Sequence, residues 1–306
     1  MVPLKNNNGS ETPQTRIIYA VTDNCNTECA HCYRRCCPEK KPKIARELSD
    51  CKKDVSALMK KGFLVRINGA EVLTNSDYLN LYPLVGQDYL LTNGIILSKQ
   101  PELCEQLMEY GIKQVRFSWH IGFQNVLNNI DERIIKQAIS NSLKAGLDVL
   151  IAVVIGNTNF HALDEISKQV LKAGVKKLEL FQLMPVRDEM RKYTLTASQK
   201  EAVFRQVQML YKRYRKDELY IQFYGNFNTR LTEKSINASN QGSFCPAGKS
   251  FFIIETTNII YPCFFLEQPQ FEMGCLENGK FKLEKTIDND GKSCLAEKTL
   301  ITNIKS

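Results

Sequence analysis

The chain has 306 residues, 43% of them hydrophobic and 24% charged, a balance that excludes an unfolded or fibrous chain. That length suits one large α/β domain, or such a domain with a smaller appendage. No run of 18 apolar residues occurs, which excludes a membrane-spanning helix; residues 1–16 are polar, lack the apolar stretch of a secretory signal, and read as a flexible tail. The net charge of +8 suits an acidic peptide or a nucleic acid as partner, and equally an ordinary solvated surface. Eleven cysteines without an export signal point to metal or redox work in the cytoplasm rather than to disulfides.

In chain order, Ile17–Val21 is an apolar strand that runs into a cluster of cysteines. Glu47–Lys61 is an amphipathic helix closed by Gly62, and Phe63–Ile67 a short strand ending at Asn68-Gly69. Asp77–Val85 has helical spacing, Tyr89–Leu91 is a strand ending at Thr92-Asn93-Gly94, and Pro101–Tyr110 is a helix before Gly111. Val115–Ser118 is the next strand, then Glu132–Ala145 a helix ending at Gly146. Val149–Ile155 is a β-branched strand, Leu163–Ala173 a helix ending at Gly174, Lys177–Leu183 a strand and Ala197–Arg215 a long helix. Six strand-plus-helix units in a row predict parallel strands with right-handed crossovers. The alternation stops near Arg215, so a partial (βα)6 TIM-like barrel fits better than a full one of eight units. Polar clusters fall at the carboxyl ends of the strands, where such sheets build their sites: Cys25/Cys29/Cys32, Asn68–Glu71, Thr92–Gly94, Ser118–His120, Asn157–Asn159 and Pro185–Arg187.

The expected organisation is a tail at 1–16, a barrel at 17–218 and a small α+β appendage at 219–306. The last part carries short apolar runs (Tyr220–Tyr224, Phe251–Ile254, Ile259–Tyr261) and four cysteines, Cys245, Cys263, Cys275 and Cys294.

The first cysteines, Cys25, Cys29 and Cys32, follow the spacing C-x3-C-x2-C directly after a strand. A tight loop of three thiolates can ligate three irons of a [4Fe–4S] cluster and leave the fourth without a protein ligand, open to a substrate or cofactor. The alternative for the trio is a zinc site, which usually closes with four ligands.

The loop, its place at a strand end and the Asn68-Gly69-Ala70-Glu71 that follows together resemble the radical S-adenosylmethionine (SAM) superfamily across residues 17 to 215. The resemblance implies that Cys25, Cys29 and Cys32 hold the cluster and that SAM chelates its open iron. One electron then breaks a sulfur–carbon bond, giving methionine and a 5′-deoxyadenosyl radical that removes a hydrogen atom from substrate. It also implies that His31 is the aromatic residue before the last cysteine and that the backbone at Tyr33 meets the adenine. Gly69 and Glu71 match the Gly-Gly-Glu motif that receives the SAM amino group, although Asn68 replaces its first glycine and Ala70 shifts the match. Ser118 falls where strand four meets the SAM carboxylate or ribose, Asn157 where strand five contacts the ribose, and Arg187 is a candidate for the carboxylate. A helix cap or turn is the plainer role for Ser118 and Asn157.

Cys245 and Cys263 are separated by twelve residues, Asn258 and four more, similar to the start of the twitch and SPASM appendages of the same superfamily. Asn258 stands where those have Gly, and Asn tolerates positive φ. With Cys275 and Cys294 the set implies one auxiliary [4Fe–4S] cluster, the alternative being zinc or free buried thiols. Cys36 and Cys37, just past the first loop, are candidates for a thiol that quenches a substrate radical; inert cysteine is the plainer reading. Cys51 and Cys104 read as packing residues, and Trp119 and His120 either face substrate or join the core.

Relatives with such appendages mostly modify peptides. The leading expectation is a maturase of a ribosomally made natural product that cross-links, epimerises or oxidises a peptide residue. An external electron donor such as flavodoxin or ferredoxin is implied, with leader recognition left to the barrel face or a separate protein. The alternatives are a radical enzyme acting on a small molecule such as a sugar or nucleotide, and a non-enzymatic iron–sulfur or zinc protein. No nucleic-acid-binding motif appears beyond the mild basicity.

Overall fold

The structure, a computed structural model, describes residues 14–35, 43–223, 245–291 and 293–301. Its first half alternates strand and helix: β1 (Arg16–Ala20), α1 (Leu48–Lys60), β2 (Leu64–Asn68), α2 (Tyr82–Val85), β3 (Tyr89–Thr92), α3 (Ile95–Lys99) and α4 (Glu102–Glu109). There follow β4 (Gln114–Ser118), α5 (Gln124–Leu127), α6 (Glu132–Lys144), β5 (Asp148–Ile155), α7 (Leu163–Lys172), β6 (Lys177–Gln182), α8 (Ala197–Arg213) and β7 (Tyr220–Phe223). The expected partial α/β barrel is therefore present, with its six strand–helix units in order.

Local chemistry explains the elements. In α1 the apolar positions Cys51, Val55 and Leu58 repeat at helical spacing and are buried, and the helix stops at Gly62 with φ 85°. Helix α6 starts where the Asp131 carboxylate accepts from Arg133 N–H (2.8 Å) and buries Ile135 and Ile139, each worth about 1.5–3 kcal/mol. Thr196 and Gln199 form a reciprocal capping box at the start of α8. The segment expected to be helical at 77–85 is a 3-10 turn, Ser76–Leu81, passing into α2, where Pro83 sits in the first turn.

The strands fall into two hydrogen-bonded sets, β3-β4-β5-β6-β7 and one in which β2 and β1 are continued by strands of the C-terminal part. Within the first set every pairing is parallel. Strand β7 extends this sheet past residue 218, the boundary expected from sequence; a four-residue strand that buries Ile221 looks the same in sequence as the hairpin runs that follow. Between β2 and β3 a side chain replaces the backbone ladder. Gln87 accepts from Ile67 N–H (2.7 Å) and donates to Ile67 O (3.2 Å) and Tyr89 O (2.9 Å), so its amide serves as a rung joining the two sheets.

The C-terminal part adds β8 (Phe251–Ile254), β9 (Ile259–Tyr261), β10 (Gly274–Glu277), β11 (Lys280–Leu283) and α9 (Leu295–Leu300). Strand β8 pairs in parallel with β1, from Arg16 opposite Phe251 to Tyr19 opposite Ile254, and β9, β10 and β11 continue as an antiparallel meander. The appendage thus continues the barrel sheet on its β1 side. Asn258, in the turn between β8 and β9, takes φ 70°, as its place in the sequence pattern predicts.

Strand alternation sorts the faces. Val115, Phe117, Ile151, Val153, Leu178 and Leu180 pack into one core beneath the helices. Arg116, Ser118, Ala152 and Glu179 turn the other way, into the half-barrel, where Arg116 Nη2 pairs with Glu179 Oε1 at 3.0 Å.

Gln87→Leu would leave the buried N–H and C=O of Ile67 without partners. Each orphan costs about 1–3 kcal/mol, so the urea midpoint should fall by an amount matching about 3 kcal/mol in total. Gln87→Glu can accept but not donate, and should fall between the two chains. An unchanged midpoint for Gln87→Leu would show that the rung is dispensable.

Candidate active site

The first thiol loop is built by two strand ends clipped side by side. Val21 N–H donates to Asn68 O (2.8 Å), Ala70 N–H to Thr22 O (2.8 Å) and Glu71 N–H to Asn24 O (3.0 Å). Cys25 is the next residue. A Cβ at Gly69 would stand 3.0 Å from Thr22 Cγ2 and 3.3 Å from Thr22 O, so this close approach favours glycine there. The far side of the loop is tied by Ala30 N–H to Leu127 O (2.7 Å), at the end of α5. Cys25, Cys29 and Cys32 are all half-buried, at the mouth of the half-barrel.

Behind the loop lies Glu71, only 2% exposed. Its carboxylate accepts from Thr92 Oγ1 (3.0 Å), Asn93 N–H (2.9 Å) and Leu73 N–H (3.3 Å). Burial nevertheless pushes it up to about 7, with the three donors pulling the other way. The carboxylate is thus aimed at the end of β3. Asn93 completes the connection: its Nδ2 donates to Asn26 Oδ1 (2.7 Å) and lies 3.8 Å from Cys25 Sγ. In the sequence Asn93 belongs to a polar strand end, Thr92–Gly94, and nothing in its spacing reveals a partner 68 positions earlier.

His31 packs edge-on against His120, with ring centroids 4.7 Å apart and planes at 89°. Val154 N–H donates to His120 Nδ1 (3.2 Å), which fixes that ring with its other nitrogen protonated. Burial pushes His31 down to about 4 and His120 well below its ordinary value, so both rings are neutral at pH 7. Trp119 turns into the helix layer, with Lys136 Nζ of α6 5.4 Å from its ring centre. Tyr33 leaves the loop in the other direction. Its hydroxyl accepts from Asn68 Nδ2 (3.1 Å) and its ring lies 4.9 Å from that of Phe264.

Ser118 closes β4, half-buried and facing the interior. Asn157 uses its amide on a loop: Nδ2 donates to Lys192 O (2.6 Å) and its N–H to Tyr193 O (2.9 Å). Arg187 is ion-paired with Glu189. Its neighbours Pro185, Val186, Asp188 and Arg191 line an open cleft of about 460 Å³ with Gln268, Gln270 and Phe271 of the C-terminal part. Cys36 and Cys37 lie outside the described residues.

The C-terminal cysteines divide. Cys245, Cys263 and Cys294 share one small apolar cluster with Met184, Val186, Leu266 and Tyr33. Cys294 and Cys245 both bear electrostatically on Cys263; burial, the larger cause, raises its thiol well above the ordinary range and pushes Cys294 up to about 12. Such thiols keep their protons at pH 7, and a metal bound there would have to displace them. Cys275 lies outside that cluster, in β10 opposite Ile259 of β9. Among the described residues no three His, Cys, Asp or Glu side chains converge on a single metal-ion position. Each set of three cysteines offers the thiolate donors that an iron–sulfur cluster takes.

Buried charge joins the two sets. Arg34, two residues past Cys32 and 6% exposed in its side chain, pairs with Asp23 (2.6 Å) and with Glu255 (2.8 and 3.3 Å). Thr256 Oγ1 donates to the same Asp23. Arg46 donates from Nε to Ala20 O (2.9 Å), from Nη1 to Asn258 Oδ1 (2.7 Å) and from Nη2 to Glu255 O. Glu267, buried beside Glu255, is held well above the ordinary carboxylate range, by burial first and then by that neighbour.

The pH dependence of Glu71 is open to test. A carboxyl raised in the fold keeps its proton between pH 4.5 and about 7, where the unfolded chain has lost it, so stability falls as pH rises through that window. Glu71→Gln has no such proton. Relative to wild type it should gain about 3 kcal/mol of unfolding free energy from pH 4.5 to about pH 8, read from urea melts at each pH. A constant difference would mean that Glu71 ionises freely.

No family model matches the chain, and no curated protein sequence does. Solved structures with the same fold do exist. The chain matches anSMEcpe with bound AdoMet at a TM-score of 0.66 and 16% identity, covering 92% of this chain and 82% of that one. It matches anSMEcpe with bound AdoMet and the Kp18Cys peptide at 0.67 and 14%, with the same coverage. SuiB of Streptococcus suis bound to its precursor peptide SuiA matches at 0.66 and 14%, over 94% of this chain and 64% of SuiB, so the chain spans just under two thirds of that protein. These matches establish the architecture: the half-barrel and its C-terminal continuation form a fold that elsewhere carries AdoMet and peptides.

Proposed function

We propose that this protein is a radical SAM enzyme that modifies a peptide. The observation that carries the reading is the thiol trio Cys25, Cys29 and Cys32, held on a pinned loop at the mouth of a half-barrel whose fold also occurs in AdoMet-bound structures. Cys25, Cys29 and Cys32 would hold a [4Fe–4S] cluster, which when bound would supply the electron for reductive cleavage of SAM and, through the 5′-deoxyadenosyl fragment, removal of a hydrogen atom from substrate.

The chain's own residues then have distinct tasks. Asn93 approaches the Cys25 sulfur as a hydrogen-bond donor. Glu71 holds Thr92 and Asn93 in place and offers its oxygens as hydrogen-bond acceptors beside the place the SAM ammonium would take. Ser118 offers a hydroxyl on the interior face of β4. His31 and His120 form a neutral wall against the loop. Asn157 acts through the Lys192–Tyr193 loop, and Arg187 lies at the rim of the cleft beside the second thiol set. Cys245, Cys263 and Cys294 would hold an auxiliary [4Fe–4S] cluster behind Tyr33, with Cys275 set apart on β10.

A peptide is favoured over a small metabolite because solved structures of this fold, anSMEcpe and SuiB, carry bound peptides. A flavodoxin- or ferredoxin-like donor would supply the electron.

Anaerobic reconstitution with iron, sulfide, SAM and reductant is the test. Wild type should form 5′-deoxyadenosine; Cys25→Ala, Cys29→Ala and Cys32→Ala should fall to background, and Cys263→Ala should keep SAM cleavage while losing peptide product. With a candidate peptide in heavy water, uptake of one deuterium marks epimerisation, and loss of two hydrogens marks cross-linking or desaturation. No 5′-deoxyadenosine from iron-loaded wild type would overturn the reading. SAM cleavage stimulated only by sugars or nucleotides would replace the peptide with a small molecule.

A further inference from the structure

We propose that Arg34 is a positioning residue that straps the first thiol loop to the C-terminal hairpin and, through its charge, sets how readily that loop's cluster accepts an electron. The second half of this inference rests on the cluster reading above; the first half stands on geometry alone.

Asp23 lies two residues before Cys25 and Arg34 two residues after Cys32, so their ion pair at 2.6 Å closes the thiol loop at its base. The same guanidinium reaches Glu255, 221 residues later, through both carboxylate oxygens at 2.8 and 3.3 Å. Glu255 belongs to the β8–β9 turn, and its backbone carbonyl is held by Arg46. A planar fork with several donors can serve two carboxylates at once; an ammonium of similar length cannot hold both in fixed directions. Asp23 is further fixed by Thr256 Oγ1 and by Ile44 N–H at 3.3 Å. Loop base, guanidinium and hairpin turn therefore form one buried unit.

The charges give the strap an electrostatic consequence. Asp23 and Glu255 carry one negative charge each and Arg34 one positive, so the unit is net −1. Neutralising Arg34 makes it −2; neutralising Glu255 makes it 0 provided Glu267, whose proton Glu255 helps to hold, is made Gln as well. Adding an electron to a nearby cluster is harder beside more negative charge, because the buried charges are poorly screened. Loss of Arg34 and joint loss of Glu255 and Glu267 should therefore move the reduction equilibrium in opposite directions, whereas damage to packing alone would move both the same way.

Two measurements test this. In the metal-free protein, urea melts of wild type, Arg34→Gln, Glu255→Gln and the double variant form a cycle. The strap requires non-additivity, with the double variant less destabilised than the sum of the singles. In the reconstituted protein, redox titration followed by electron paramagnetic resonance should show Arg34→Gln about tenfold harder to reduce, 59 mV lower for one electron. Glu255→Gln combined with Glu267→Gln should be easier to reduce than wild type, and Arg34→Lys should stay close to it. Shifts of one sign in both neutralised variants would overturn the electrostatic claim, and an additive cycle with normal cluster uptake would overturn the strap. Non-additivity with no cluster uptake by wild type would sink the cluster reading and the electrostatic claim with it, leaving only a structural tie.

Discussion

The end of β1 is pinned from both sides, and the candidate site depends on that constraint. On one side three backbone hydrogen bonds clip Val21–Asn24 to the end of β2. On the other, β8 pairs along β1, and Arg34 and Arg46 anchor the chain to the β8–β9 turn. A loop of small and polar residues such as Asn26-Thr27-Glu28 has no core of its own and would sample many conformations. Pinned at Val21–Asn24, Ala30 and Arg34, it can present three thiols with little freedom left to lose on binding a cluster.

The C-terminal segment is accordingly part of the site's construction. Its strand fills the position next to β1, and its turn supplies the Glu255 carboxylate and the Thr256 hydroxyl to the base of the thiol loop. Its own cysteines pack under Tyr33 and the loop after β6. Buried ion pairs are weak contributors to net stability, since desolvation offsets much of their attraction. Removing a single partner, however, costs about 3–5 kcal/mol. The Asp23–Arg34–Glu255 arrangement is therefore better understood as fixing geometry than as holding the fold together. Glu71 is comparable: buried, raised toward neutrality, and spent on aligning the ends of β2 and β3.

Much of this was legible in the sequence, for physical reasons. Alternating periodicity with glycine at helix ends reports local structure, and α1, α6, α7 and α8 fall within two residues of expectation. Positive φ at Asn258 followed from the tolerance of Asn for that region. The thiol loop was legible because its spacing is local. What escaped was non-local. The Gln87 rung, the Asn93 contact and the Arg34 strap join residues 20, 68 and 221 positions apart, and no one-dimensional pattern encodes such pairs. The extent of the barrel sheet was missed because β7 and the hairpin strands have the same short apolar signature. The grouping of Cys245 and Cys263 with Cys294, and not with Cys275, depends on how β9 and β10 register.

The central claim is that three thiols hold an iron–sulfur cluster with one iron left for an exogenous ligand. Mössbauer spectroscopy of protein reconstituted with iron-57, recorded before and after AdoMet, addresses it most directly. The expected result is a cluster on the Cys25–Cys32 loop, absent from the variant lacking those thiols, in which a single iron changes its isomer shift when AdoMet is added. Zinc in place of iron, or a spectrum that AdoMet leaves unaltered, would contradict it.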